Sequence, residues 1–62
     1  MERVENIGSS TFVLRTRQLA PNHWSCDVFA RDGREKAERF LLEHFGESEL
    51  EAIAMALSEA GN

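Results

Sequence analysis

One cysteine, one proline and no tyrosine stand in a chain of 62 residues. A lone cysteine closes no intramolecular disulfide, and a domain near this size buries only about 60% of the surface its unfolded chain exposes. Stability must therefore come from packing or from self-association. There is no apolar stretch long enough to span a bilayer, and the opening MERVENIGSS has no apolar run behind a basic start. Neither a membrane span nor a secretory signal is expected, which makes a reducing cytoplasm the expected compartment. Basic residues are also scarce, seven against eleven acidic ones, for a formal net charge of −4. That balance falls short of the basic footprint of a nucleic-acid-binding protein and makes direct nucleic-acid binding a poor fit. A phosphate-binding glycine loop, a strand-turn-serine elbow and an HExxH pair are all missing, so no enzyme class finds its apparatus here.

What is present, 42% hydrophobic and 29% charged residues, suits one small globular domain over residues 1–62 rather than a disordered chain. Charge is unevenly spread. Residues 1–36 are close to neutral, whereas beyond Ala37 only Arg39 opposes Glu38, Glu43, Glu47, Glu49, Glu51 and Glu59. An acidic second half repels phosphate and favours a basic protein surface, although glutamates on helices also serve solubility alone.

TFVLRTRQL and WSCDVFA are rich in β-branched and apolar residues, and APNH between them holds the only proline. The pattern predicts a β-hairpin turning at Pro21, Asn22 and His23. Pairing Phe12 with Ala30, Leu14 with Val28, Thr16 with Cys26 and Gln18 with Trp24 gathers one apolar face and sets Arg15 opposite Asp27. This register requires an odd loop or a bulge near Pro21. A short strand around Val4 and Ile7 would make a third strand. After the break at RDG, with Asp32 or its followers as cap, Ala37, Phe40, Leu41, His44 and Phe45 recur at helical spacing and predict a helix through REKAERFLLEHF ending at Gly46. A capping box at Ser48 and Glu51 then opens a second helix to about Ala60 with Gly61 as its stop, burying Leu50, Ile53, Leu57 and Ala60. The expected fold is α+β: a hairpin or three-stranded sheet covered by two C-terminal helices. Its expected core is Phe12, Leu14, Trp24, Cys26, Val28, Ala37, Phe40, Leu41, Phe45, Leu50, Ile53 and Leu57.

Three chemistries can be weighed on these residues. His23, Cys26 and His44 lack a fourth ligand and a known zinc spacing, so no metal and no cofactor is expected. Cys26 is expected inward and beside Asp27, the wrong surroundings for a reactive thiolate. WSCDVFA, REKAERFLLEHF and FGESELEAIAMAL follow the strand-helix-helix order that resembles the ribbon-helix-helix DNA-binding family. That resemblance implies an intertwined dimer acting as a regulator or antitoxin and reading bases from Ser25, Asp27 and Phe29. Asp27 and Phe29 suit a phosphate-rich groove poorly. Protein recognition remains. Val13 and Phe29 beside Arg15 and Arg17 on the outer hairpin face mix apolar and arginine groups as interfaces do, and Leu42 and Met55 lie off their helices' buried stripes.

The expectation is a non-catalytic protein-binding module, on the scale of an accessory or inhibitor protein from a phage or mobile element. In it Glu47, Glu49 and Glu51 would compete with nucleic acid for a basic protein surface. A structural subunit of a larger assembly is the other alternative, and the residues leave a homodimer open.

Overall fold

The computed structural model describes residues 1–31 and 37–60. Four strands, β1 (Glu2–Ile7), β2 (Ser10–Ala20), β3 (His23–Arg31) and β4 (Glu38–Gly46), precede one helix, α1 (Glu49–Ala60). The strands lie in chain order in a single antiparallel sheet. The β1–β2 turn is Gly8-Ser9, with Gly8 at φ 61°. Glycine at the first of two loop positions supplies the positive φ that a tight hairpin needs there. Pro21 followed by Asn22 at φ 59° makes the second turn, the order of a type II turn, in which proline fixes the first φ and asparagine tolerates the left-handed second.

The expected hairpin register is present pair for pair: Phe12 with Ala30, Leu14 with Val28, Thr16 with Cys26 and Gln18 with Trp24. The irregularity it required falls between Gln18 and Ala20, and His23 belongs to β3 rather than to the turn. The strand expected around Val4 and Ile7 is β1.

Alternation splits the sheet into two faces. On the inner face Phe12, Leu14, Cys26 and Val28 meet Ala52, Ile53 and Ala56 of α1, with Trp24, Leu42, Leu57 and Ala60 packed around them. Small residues at 52 and 56 let the helix approach the sheet closely, most closely at Gly46, where a Cβ would stand 2.6 Å from the Ala52 backbone nitrogen. Helix entry is fixed by Ser48, whose Oγ accepts from the Glu51 amide at 3.1 Å, while the Glu51 carboxylate accepts from the Glu47 amide at 3.3 Å. Thr16 Oγ1 donates to Glu49 Oε2 at 2.7 Å and ties the first turn of α1 to β2. Among the described residues no helix is long and apolar enough to cross a membrane.

The fold is α+β, but the two expected C-terminal helices are one. Residues 38–46, expected as the greater part of the first helix and its Gly46 stop, form β4 against β3, so the strand-helix-helix order behind the ribbon-helix-helix resemblance is absent. Helix-favouring Glu and Leu are overruled here by pairing with β3, whose outer edge would otherwise carry unsatisfied backbone groups. A bulge between Val28 and Phe29 leaves Leu41 unpaired between Phe40, opposite Phe29, and Leu42, opposite Val28. Asp32 and Gly61, expected as helix cap and stop, lie outside the described residues. The core differs accordingly: Ala37, Phe40, Leu41, Phe45 and Leu50 are exposed, Trp24 is half-buried, and Val13, Ala52 and Ala56 are fully buried.

Candidate protein-binding face

The outer sheet face, opposite α1, is built in rows by the register. Val4, Val13, Phe29 and Phe40 are paired across all four strands and make one apolar row. Glu2, Arg15, Asp27 and Glu43 form the next, and Arg17, Ser25 and Phe45 the one beyond. Val13, between Val4 and Phe29, has no exposed surface, whereas Val4 is 48% exposed, Phe40 57% and Phe45 49%. Phe29 and Phe40 meet edge to face at 5.7 Å, and His23 lies tilted against Phe45 at 5.6 Å. These contacts hold the rings in place at a surface they do not fill.

Charged side chains frame the apolar row. Arg15 lays its guanidinium over the Phe29 ring at 4.7 Å and donates from Nη2 to Glu38 Oε1 at 2.7 Å, and Arg31 Nη2 donates to Glu38 Oε2 at 3.0 Å. The two hydrogen bonds, from Arg15 first, hold the Glu38 carboxyl below its usual pKa. Arg15 Nε also reaches Glu2 Oε2 at 3.5 Å. The Glu43 carboxyl is pushed up by its hydrogen bond with the Asp27 carboxyl, then by burial and by the Asp27 charge, against the pull of Arg17 Nη2 at 3.7 Å. Two carboxylates thus meet on adjacent strands, with Arg17 beside the Glu43 one. Ser25, in the row beyond, is fully buried, and its hydroxyl has no hydrogen-bond partner among the described residues.

The structure brings Val13, Arg15, Arg17 and Phe29 together on this face, although Val13 is the buried floor of the row rather than a contact group. Leu42, expected on an outer helix surface, points to the opposite face and packs on the core. Met55 is exposed on α1, separate from the sheet face. Of the three glutamates, Glu49 is half-buried against Thr16 and the Glu51 carboxylate caps the chain before α1, so both work in the fold. Glu47 is exposed. The face residues that sequence reasoning missed are Val4, Phe40, Phe45 and Glu43; three of them sit on β4, where the spacing points to a helix, whereas Asp27 lies opposite Arg15 as expected. Cys26 is buried, and burial, helped by the Asp27 and Glu49 charges, pushes its thiol up to about 11. No cluster of three metal-ligating side chains occurs among the described residues. Comparison with family models, with curated proteins and with solved structures finds no match in any of the three.

Proposed function

We propose that the chain is a non-catalytic protein-binding module whose contact surface is the outer face of its sheet. One observation carries this reading: an apolar row runs across four strands with Val4 and Phe40 about half exposed, framed by Arg15, Arg17, Glu2, Asp27 and Glu43. Contiguous exposed apolar groups beside arginine are what interfaces are made of, and singly exposed ones are not. Competition with nucleic acid through Glu47, Glu49 and Glu51 draws less support, because Glu49 and Glu51 are engaged in holding α1.

The experiment is a tagged pull-down from host lysate, with and without nuclease treatment, run with the wild type, with Phe40→Glu and with Leu50→Lys. Leu50, 76% exposed on α1, is a control away from the face. A stoichiometric protein, including untagged copies of this chain, that is lost with Phe40→Glu and kept with Leu50→Lys supports the reading. Equal recovery by all three overturns it, and recovery of DNA instead favours a regulator.

A further inference from the structure

Resting on that reading, we infer that the protein bound by the open face is a second copy of this chain, packed face to face about a two-fold axis that runs parallel to the strands between β2 and β3. The argument is one of symmetry. Two sheets that pack with their strands aligned meet about a two-fold axis lying between them either parallel or perpendicular to the strands. A perpendicular axis lays β2 over the second copy's β2, so that the one strand carrying both Arg15 and Arg17 confronts itself. The parallel axis lays β2 over β3 and β1 over β4, with each row facing its own equivalent.

The consequences can be read from the register. The apolar row covers itself, Val13 against Phe29 and Val4 against Phe40, and the exposed halves of Val4 and Phe40 are removed from water. In the next row Arg15 meets the second copy's Asp27, twice by symmetry, and brings a cation to the Asp27 carboxylate, beside a Glu43 whose cation within the described residues of one chain is Arg17 at 3.7 Å. In the row beyond, Phe45 is carried to the start of β1. There an open groove of about 440 Å³ lies between Met1, Glu2, Arg15, Thr16, Arg17 and Asp27. One contact opposes the arrangement: Glu2 comes near the second copy's Glu43, at the rim and within reach of Arg17.

Charge distribution over the whole surface favours the same pairing. The outer face carries both signs, Arg15, Arg17 and Arg31 against Glu2, Asp27, Glu38 and Glu43. Glu47, Glu49, Glu51 and Glu59 lie on or just before α1, on the other side of the sheet. Face-to-face packing therefore keeps the acidic helices of the two copies as far apart as the molecule allows. Four strands at about 4.8 Å spacing give a face about 19 Å wide, and a mean strand length of roughly 28 Å gives about 530 Å² per copy. The total of about 1,100 Å² lies at the lower edge of specific interfaces, which suits a reversible dimer.

Sedimentation velocity of the purified chain from about 5 to 500 μM tests the assignment, with the folded state of each variant checked by circular dichroism. The expected result is a concentration-dependent dimer that Phe40→Glu weakens at least tenfold and Leu50→Lys leaves unchanged. Arg15→Glu and Asp27→Arg should each weaken it as well, and an equimolar mixture of those two should restore a heterodimer, since each copy then meets an opposite charge. That restoration cannot come from unfolded variants. A monomer throughout the range, or a dimer indifferent to Phe40→Glu and to the charge exchange, overturns the second-copy assignment. If a different protein is then lost from the pull-down with Phe40→Glu, the open face still stands as a binding surface with another occupant; if none is, both readings fall.

Discussion

Replacing Gly46 by alanine sets two effects of opposite sign against each other. The backbone at Gly46 is not left-handed, so alanine meets no torsional objection there, and at a permissive site Gly→Ala stabilises by about 0.4–1 kcal/mol through the unfolded chain. Space decides otherwise. The new Cβ would stand 2.6 Å from the Ala52 nitrogen and 3.0 Å from both the Ala52 Cα and the Glu51 carbonyl carbon, all backbone atoms of α1. Carbon contacts are comfortable at about 3.5–4.0 Å, so the first turn of the helix must retreat by nearly 1 Å and loosen Ala52, Ile53 and Ala56 from the sheet. Overpacking of this kind costs about 1–3 kcal/mol, and with the unfolded-chain gain subtracted the net expectation is a loss of about 1.3 kcal/mol. A chain of this size has roughly 3–9 kcal/mol to lose from. Urea unfolding followed by the fluorescence of Trp24, the only tryptophan, should show the midpoint falling by about 1–2 M at unchanged slope. A Gly46→Ala midpoint equal to or above wild type would refute the close approach of α1 to the end of β4.

Ser25→Ala should raise the melting temperature by several degrees, since removing a buried hydroxyl with no partner among the described residues recovers up to about 1 kcal/mol; a drop in a thermal scan would mean that the hydroxyl is satisfied in solution. Ser48→Ala should cost about 1 kcal/mol in urea unfolding by removing the acceptor for the Glu51 amide, and no change would place the start of α1 elsewhere. Cys26 should resist a thiol-specific disulfide reagent at pH 8 in the native chain and react at once when denatured. Its raised folded pKa contributes stability that is full below the usual 9.0 and is lost as pH rises through about 11, visible as alkaline unfolding that Cys26→Ala lacks. The two perturbed glutamates act in opposite directions. Glu38, held low, contributes stability above pH 4.5 that is lost as pH falls, whereas Glu43, pushed up, contributes below pH 4.5 and loses that contribution as pH rises. Glu43→Gln should therefore unfold later than wild type at pH 7, and the difference should vanish in acid; a Glu43→Gln chain less stable at pH 7 would contradict the Asp27 contact.

The hairpin was legible because alternation and the Pro-Asn turn agree: Leu14, Val28, Cys26 and Trp24 share one side only when even positions pair with even ones, and the turn limits how far that pairing can slip. The start of α1 was legible because Ser48 and Glu51 carry their own local hydrogen bonds. β4 was not legible, and the reason is the unpaired Leu41. In a regular strand Phe40 and Phe45 would face opposite ways; one extra residue between them puts both on the outer face with Glu43, while Leu42 and His44 turn inward. That spacing satisfies a helical stripe as well as it does a bulged strand, and nothing local separates the two. The same misreading concealed most of the candidate face. It also moved the helix contact from Leu50 to Ala52 and Ala56, small residues whose value lies in how near they let the backbone come.

The chain-order sheet also governs how the molecule is made. Each strand pairs only with its sequence neighbours, so the sheet assembles from local contacts and folds early as the chain emerges. Its inner face, with Leu14, Val28 and Leu42, nevertheless has no cover until α1 has been synthesised. At about 5–20 residues per second the twelve residues of that helix take roughly a second, during which both faces of a nascent sheet are sticky. The outer face keeps that property once the sheet is folded, while the inner one loses it when α1 docks.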